Sequence, residues 1–219
     1  MRLLVTAGGT REPIDSVRVI ANTSTGRLGA RIVDEAVAAG HEVLLLHAAT
    51  AALPARPCRR LEFETHADLG RLLEQHAPQA DAIFQAAAVS DYVPASTGGK
   101  LPSDQPELML RLQRAPKLID GLRALCPQGW LVGFKLTSDA GEDEQVAEAQ
   151  ALLRRARLDL VVVNDSRRTG EADHEALLVE AGGVVARCRG KAALASQLVA
   201  RLPAARRAPS PGGQGMVQA

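Results

Sequence analysis

The sequence predicts an α/β protein with a Rossmann-like, doubly wound and mostly parallel sheet. Short continuous apolar runs alternate along the chain with longer amphipathic segments, a pattern typical of buried parallel strands connected by helices. The first apolar run, residues 3–5, leads directly into Gly8 and Gly9, and a helix is predicted shortly afterwards. A glycine turn near the positive end of a helix favours an anion site, because backbone N–H groups can approach a phosphate there.

The apolar periodicity predicts the other elements in chain order. The first helix is predicted at residues 26–40, with Ser24 or Thr25 as its cap. Further strands are predicted at residues 41–47, 61–65, 81–87, 108–112, 130–134 and 159–163. Further helices are predicted at residues 67–76, 116–125, 143–155 and 190–202, and a hairpin at 175–180 and 184–187. In such sheets ligands bind beyond the carboxyl ends of the strands, so Gly8, His47 and residues 87–92 are expected to border one crevice.

The chain is expected to form one domain over residues 1–205, with the small C-terminal β-hairpin and with mobile loops over the site. Residues 94–105 contain Pro, Ser, Thr and Gly-Gly, which predicts a loop, and this loop carries Lys100. Residues 206–219 are predicted to be a disordered tail.

Composition restricts the classes of partner. Apolar residues make up 46% of the 219 residues and aromatic residues only 2%, so the core is expected to consist of Leu, Val, Ala and Ile. With 26 basic and 25 acidic residues the net charge is +1, which favours neither nucleic acid nor a membrane as partner. The odd set of Cys58, Cys126 and Cys188 predicts reduced thiols, and no apolar run approaches the roughly 20 residues of a spanning helix. We therefore expect a cytoplasmic protein.

The residues by themselves leave three functions open. A nicotinamide-dependent reductase is disfavoured, because the glycines do not follow the G-x-G-x-x-G pattern and no acidic residue follows the second strand. A non-catalytic nucleotide-sensing module would keep the Gly-Gly turn but would need neither Asn22 nor Lys100. An enzyme acting on a polyphosphate would use Lys100 as a mobile cation, although an ordinary surface lysine also explains this residue.

Two long motifs resemble a known enzyme family. Residues 5–15 (VTAGGTREPID) and 17–26 (VRVIANTSTG) are similar to the opening signature of phosphopantothenate–cysteine ligases, also called phosphopantothenoylcysteine synthetases. The family pattern is T-A-G-G-T-x-E-P-x-D followed by V-R-x-I-x-N-x-S-S-G. Further similar segments follow in the same order at residues 87–92, around Lys100, and at 115–119, 132–134 and 159–165. The resemblance covers residues 1–202.

The resemblance implies a ligase of coenzyme A biosynthesis. In the family, CTP (in most bacteria) or ATP (in animals) activates the carboxylate of 4′-phosphopantothenate as an acyl-nucleotidylate and releases pyrophosphate. The amine of cysteine then forms the amide, and the nucleoside monophosphate leaves. Mg²⁺ or Mn²⁺ is implied as cofactor, without assigned protein ligands. A homodimer with a site near the subunit interface is also implied. Because the chain starts at the ligase motif, a stand-alone form without the flavin-dependent decarboxylase domain is expected.

The resemblance also implies roles for individual residues. Asn22 would hold the substrate and polarise the acyl-nucleotidylate carbonyl, and Arg18 would bind substrate and serve the second half-reaction. Lys100 would neutralise charge while the carboxylate attacks the α-phosphate. The residues implied in nucleotide binding are Gly8, Gly9, Thr10, Ser24, Ala87, Asp91, Lys100, Pro116, Lys117, Leu118, Ile119 and Phe134.

The sequence departs from the family on the helix before the last parallel strand. Positions that are commonly lysine are occupied by Leu152 and Ala156. The neighbouring Arg154, Arg155 and Arg157 are expected to point elsewhere, because adjacent helical positions lie about 100° apart. The choice between CTP and ATP therefore stays open.

Overall fold

The computed structural model describes residues 1–95, 99–101, 104, 106–168 and 174–204. Within these residues the strands are β1 (Arg2–Ala7), β2 (Arg11–Pro13), β3 (Val19–Ala21), β4 (Glu42–Ala48), β5 (Arg59–Phe63), β6 (Ala82–Gln85), β7 (Tyr92–Pro94), β8 (Leu112–Arg114), β9 (Trp130–Thr137), β10 (Leu160–Asp165), β11 (Glu175–Glu180) and β12 (Gly183–Arg189). The α-helices are α1 (Arg27–Ala38), α2 (His66–His76), α3 (Leu118–Leu125), α4 (Glu142–Ala156) and α5 (Lys191–Ala200). The predicted tail, residues 206–219, and part of the predicted 94–105 loop lie outside the described residues.

The main sheet has the order β5-β4-β1-β6-β9-β10-β11-β12 in the described part of the chain. The six strands β5, β4, β1, β6, β9 and β10 are parallel to one another, whereas β11 and β12 are antiparallel additions at one edge. The predicted doubly wound, mostly parallel sheet and its C-terminal hairpin are therefore confirmed. The chain moves from β1 to β4 on one side and later returns to β6 on the other. This reversal places a topological switch point at the carboxyl ends of β1 and β6, where open α/β sheets bind ligands.

Helices cover both faces of the sheet, as the alternation of strands and helices predicts. Helices α1 and α5 pack on one face, where Ile32, Val33 and Leu194 belong to the same buried cluster as Val162 of β10. Helices α2, α3 and α4 pack on the other face, where the buried residues include Leu69, Leu73, Leu122, Leu152, Leu153, Val161 and Val163. Residues of β10 alternate between the two layers, because successive strand side chains point to opposite faces.

The core is aliphatic, as the composition predicts. Among the largest fully buried side chains, Phe63 and Phe84 are the aromatic members and the others are Leu and Ile. Phe84 makes an edge-to-face contact with Trp130, with ring centroids 5.9 Å apart and an interplanar angle of 81°. This geometry is favourable for aromatic pairs and fills the sheet face beneath α1 and α5.

The structure differs from the predicted elements at two places. No element is predicted for the stretch after Gly9, but it forms the β2–β3 hairpin, with Arg11 opposite Ala21 and Pro13 opposite Val19. The strand predicted at 108–112 is instead β8, which pairs with β7 to form a separate two-stranded arm. The alternating side chains at 108–112 resemble a strand pattern, but they do not form a buried strand face, and Met109 is 94% exposed.

The predicted cap of the first helix is also wrong. No side chain caps α1, whose N-cap residue is Gly26 with φ +70°. The hydroxyl of Ser24 instead accepts a hydrogen bond from the Gly26 N–H at 3.4 Å. Glycine is required at this position because a Cβ on Gly26 would lie 2.7 Å from the Cβ of Ala51. Strand β7 is not among the predicted elements, and the remaining strands and α-helices differ from their predicted bounds only at the ends.

Candidate functional site

The loops that leave β1 and β6 are joined by backbone hydrogen bonds at the switch point. The Ala88 N–H donates to the Gly8 carbonyl at 2.8 Å, and the Thr10 N–H donates to the Ala88 carbonyl at 3.1 Å. Gly9 and Ala88 form an isolated parallel bridge. The two loops, which carry the predicted site residues Gly8, Gly9, Thr10, Ala87 and Asp91, are therefore joined at one junction.

Gly8 and Gly9 allow three chain segments to cross at this junction. Gly8 has φ +91°, and a Cβ there would lie 2.7 Å from the Cβ of Ala48. A Cβ on Gly9 would lie only 2.3 Å from the backbone oxygen of Asn22. Both distances are shorter than any ordinary Cβ contact. A side chain at Gly8 would displace the segment at the end of β4, and one at Gly9 would displace the end of the β2–β3 hairpin. The described geometry explains these glycines by close approach of backbone, and their contact with phosphate stays a prediction.

Asn22 follows β3 and lies directly above the junction. Its side-chain Nδ2 donates to the Ala88 carbonyl at 2.9 Å, and its backbone N–H donates to the Thr10 carbonyl at 3.1 Å. Asn22 is nevertheless exposed. A primary amide has two N–H donors and one acceptor oxygen, so one N–H and Oδ1 remain available to a ligand. The structure thus holds the predicted catalytic amide in a fixed orientation at the switch point.

Thr10 supports the junction from below. Its side chain is completely buried, with 0% exposure, and its Oγ1 lies 2.7 Å from the Ser90 Oγ. The Ser90 N–H also donates to this Oγ1 at 2.9 Å. Because the hydroxyl is engaged within the protein, the structure does not place Thr10 on a ligand-facing surface. Its predicted phosphate contact remains a prediction.

A cavity of about 200 Å³ lies beside the junction, on the face of the sheet covered by α3 and α4. The residues that line it are Gln85, Ala87, Val89, Ser90, Asp91, Pro116, Lys117, Leu118, Ile119, Phe134, Lys135, Glu148, Ala151, Leu152 and Arg155. Ala87, Asp91, Phe134 and residues 116–119 were all predicted to bind nucleotide, and the structure brings them together here. Gly8, Gly9, Thr10, Ser24 and Lys100 are not among the lining residues.

The cations at this cavity are paired with carboxylates. Lys117 pairs with Asp91, both partly exposed. Lys135 lies 3.0 Å from Glu148, and Arg155 lies 3.0 Å from Asp120.

The expectation that Arg155 points away is therefore wrong. Arg155 follows Leu152 by three positions, so the two side chains share one helix face and both reach the cavity. Partly exposed ion pairs of this kind contribute little stability, which leaves the cations able to exchange a carboxylate for a phosphate.

Gln85 lines the cavity but is not among the site residues predicted from the sequence. It is 4% exposed, and its Oε1 accepts a hydrogen bond from the Thr6 hydroxyl at 3.3 Å. Its Nε2 has no hydrogen-bond partner within the described residues. An unpaired buried donor is unfavourable by about 1–3 kcal/mol, so such groups are rare outside functional regions. The only sequence signal for it is a polar residue at the end of the apolar strand β6.

A second junction joins the turn of the β2–β3 hairpin, which carries Arg18, to residues 99–101, here named the Lys100 segment. The Ser16 N–H donates to the Gly99 carbonyl at 3.2 Å, and Arg18 Nη2 lies 3.5 Å from the Leu101 carbonyl oxygen. Lys100 itself is exposed, and the Arg18 side chain is one-third exposed. The structure thus brings the two predicted catalytic cations to the same turn.

The described residues offer no preformed metal centre. No group of three or more His, Cys, Asp or Glu side chains is placed to hold an ion in the part of the chain that the structure describes. Cys58, Cys126 and Cys188 are all free thiols, as predicted, and burial raises the pKa of each thiol. Among the described helices, none is long and apolar enough to cross a membrane.

The fold and the site define a Rossmann-like α/β protein whose candidate ligand crevice opens at the topological switch point. Residues 1–205 match the family model of the DNA/pantothenate metabolism flavoprotein C-terminal domain. The chain therefore belongs to this family.

Curated relatives and solved structures agree with this assignment. The coenzyme A biosynthesis bifunctional protein CoaBC of Thermococcus kodakarensis is 38% identical over 181 residues, which cover 81% of this chain and 44% of that protein. The chain spans less than half the length of the relatives with this description.

Two crystal structures share the fold. The DNA/pantothenate metabolism flavoprotein from Streptococcus pneumoniae is 30% identical, with a TM-score of 0.87 over 91% of this chain and 97% of that chain. The C-terminal domain of CoaBC is 28% identical, with a TM-score of 0.75 over 91% of this chain and 92% of that chain.

Proposed function

We propose that the protein is a phosphopantothenate–cysteine ligase of coenzyme A biosynthesis. Family membership and the similarity to proteins described as acting in coenzyme A biosynthesis support this function. The observation that carries the proposal is the junction at the switch point. There the exposed amide of Asn22 is fixed to Ala88, one residue from the cavity lined by Ala87 and Val89.

The proposed reaction has two steps. A carboxylate oxygen of 4′-phosphopantothenate attacks the α-phosphorus of CTP or ATP, the bond to pyrophosphate breaks, and an acyl-nucleotidylate forms. The cysteine amine then attacks the acyl carbon and loses a proton, and the nucleoside monophosphate leaves with the bonding electrons. The first step brings anions together, so it requires cations, and the second develops negative charge on the acyl oxygen, so it requires a hydrogen-bond donor.

The site residues fit these demands. Lys100 neutralises the triphosphate during the first step. Asn22 donates its remaining N–H to the acyl oxygen during the second step, and Arg18 binds the substrate. Proteins commonly hold Mg²⁺ through one or two carboxylates together with substrate phosphates, and Asp91 at the cavity is a carboxylate of this kind. When bound, Mg²⁺ would neutralise phosphate oxygens.

A second copy of the chain is the proposed partner. The β2–β3 hairpin contacts β7 of the β7–β8 arm, and the two arms, together with the segment that leads into β8, present exposed apolar side chains. They are Val17, Val19, Tyr92, Leu108, Met109 and Leu112. Neighbouring exposed apolar residues of this kind favour a protein interface. A homodimer formed through these arms would place the partner subunit beside Arg18.

One assay tests the proposed function. The protein is incubated with 4′-phosphopantothenate, cysteine, Mg²⁺ and either CTP or ATP, and pyrophosphate release is followed. Release that requires both a triphosphate and 4′-phosphopantothenate, with the amide product appearing only when cysteine is present, supports the ligase. Nucleotide binding without turnover would instead indicate a sensing module, and binding of NADPH without pyrophosphate release would indicate a reductase.

A further inference from the structure

The side chain of Asp15 holds the Lys100 segment against the hairpin turn. This side chain is fully buried, with 0% exposure. Its Oδ1 accepts hydrogen bonds from the N–H groups of Val17 at 2.9 Å and Arg18 at 2.8 Å. Its Oδ2 accepts a hydrogen bond from the Leu101 N–H at 3.1 Å and lies 3.5 Å from the Arg18 guanidinium. One carboxylate oxygen thus shapes the turn, and the other holds the neighbouring segment.

The contacts of Gly99 and Leu101 fix the Lys100 segment on both sides of the lysine. We propose that Asp15 is a positioning residue that fixes the Lys100 segment to the turn carrying Arg18, so that both cations act on the substrates as one unit. This inference rests on the proposed function, which assigns a catalytic role to each cation. It deepens that function by adding a residue that acts on the reaction through Lys100.

The chemistry of the junction requires a carboxylate. Within the described residues, every group that contacts the Asp15 carboxylate is a donor: three backbone N–H groups and one guanidinium. An ionised carboxylate accepts through both oxygens and satisfies all of them. These donors, with the Val17 N–H contributing most, hold the pKa of Asp15 below its ordinary value. The carboxylate therefore stays ionised at neutral pH despite its burial.

Asp15→Asn separates the two roles of the side chain. The amide keeps one oxygen, which can still shape the turn, because Asn favours the same local hydrogen bonds. Its NH₂ group then faces the Leu101 N–H, and two donors cannot pair. We therefore expect the variant to keep the turn but to release the Lys100 segment.

Amide hydrogen exchange tests the release directly. Asp15→Asn should speed exchange at Leu101 by about tenfold or more, the effect of losing one charge-assisted hydrogen bond. Exchange at core amides such as Val162 should stay unchanged. Asp34→Asn is a matched control, because Asp34 likewise accepts from two backbone N–H groups of a loop, those of Ala55 and Arg56. It should leave exchange at Leu101 unchanged.

A double-mutant cycle with Lys100→Ala tests the action on the reaction. Asp15→Asn should lower the rate constant of nucleotidyl transfer by up to about 100-fold, as small misplacements of catalytic groups do. In the Lys100→Ala background the same substitution should have almost no further effect, because the two residues act through one group. A purely structural aspartate would instead slow both backgrounds by the same factor.

Failure of the positioning role can be distinguished from failure of the proposed function. Unchanged exchange at Leu101, or independent kinetic effects of the two substitutions, would overturn the positioning role. If the parent protein releases no pyrophosphate, the proposed function fails. Hydrogen exchange then tests by itself whether Asp15 fixes the Lys100 segment. Faster exchange at Leu101 in Asp15→Asn supports this contact, and unchanged exchange refutes it.

Discussion

At the scale of single residues, Asn22 shows how one hydrogen bond prepares a side chain for chemistry. The bond from Nδ2 to the Ala88 carbonyl fixes the amide plane while the residue stays exposed. Fixed donors stabilise developing charge better than mobile ones, because they need no reorganisation at the moment of reaction. The exposed position and the fixed orientation together make Asn22 the best candidate for a transition-state contact.

Asn22→Asp is expected to impair amide formation more than nucleotidyl transfer. The carboxylate cannot donate to the Ala88 carbonyl or to an acyl oxygen, but it leaves the cation-dependent first step intact. The acyl-nucleotidylate should therefore accumulate. Rapid quenching followed by mass spectrometry would detect it, and failure to trap any intermediate while amide formation is slow would contradict the assigned role.

Lys100→Ala is expected to slow nucleotidyl transfer by one to several orders of magnitude, equivalent to about 2–4 kcal/mol for a lost transition-state charge contact. Single-turnover measurement of pyrophosphate release checks this. Arg154→Ala is a suitable control, since Arg154 is exposed on α4 and is not among the residues that line the cavity. Equal rates for Lys100→Ala and the parent protein would remove the lysine from the mechanism.

At the scale of elements, the β2–β3 hairpin connects the two halves of the candidate site. Its turn carries Arg18 and holds the Lys100 segment, and its C-terminal end carries Asn22 to the switch point. The hairpin can lie this close to β1 only because Gly9 has no side chain, as the 2.3 Å distance from a hypothetical Cβ to the Asn22 oxygen shows. The position of Asn22 therefore depends on a residue that has no chemistry of its own.

Gly9→Ala tests this dependence. The added methyl group must displace the hairpin, and we expect a loss of unfolding free energy of about 1–3 kcal/mol, as in other overpacked sites. We also expect the rate of amide formation to fall by more than this loss of stability explains, because Asn22 moves. Gly121→Ala is the matched control: no atom lies within 4 Å of a Cβ there. In the interior of α3 it should raise stability by up to about 1 kcal/mol.

Denaturant unfolding and turnover are measured for both variants. A fully active, stable Gly9→Ala protein would show that the junction tolerates a side chain and that the hairpin position does not determine catalysis.

The sequence predicts the elements whose pattern reflects burial. The parallel strands and most helices follow from apolar periodicity. In β10 and α4, for example, the apolar residues that form the pattern are the residues that are buried. The β2–β3 hairpin was not predicted because its strands are only three residues long and bury none of their apolar side chains. Arg155 was misjudged because helical phase alone did not show where the cavity lies. Gln85 was not predicted because its significance comes from its place in the cavity and from its Nε2, which has no hydrogen-bond partner within the described residues.

At the scale of the whole molecule, the two arms outside the main sheet determine the expected assembly. A homodimer through these arms predicts a solution mass of twice the chain mass. Met109→Asp together with Leu112→Asp should give monomers, because it places charges on this apolar surface. We expect turnover to fall in parallel if the partner completes the site. Light scattering after size-exclusion chromatography measures the mass.

Val185→Asp, on the edge strand β12, is the matched control for these charges. Val185 is 41% exposed, the same exposure as Leu112, but it lies at the far edge of the sheet. A parent protein that is monomeric at all concentrations would exclude the proposed interface.

The contact between Phe84 and Trp130 has a practical consequence for spectroscopy. Trp130 is the chain's single tryptophan and begins β9, so it lies at the amino ends of the parallel strands, opposite the candidate site at their carboxyl ends. Its fluorescence should therefore report loss of the core during denaturation while staying nearly insensitive to bound nucleotide. The single tyrosine, Tyr92, is 55% exposed on β7, next to Asp91 of the cavity. A Tyr92→Trp variant in a Trp130→Phe background would convert the same optical signal into a sensor of events at the crevice.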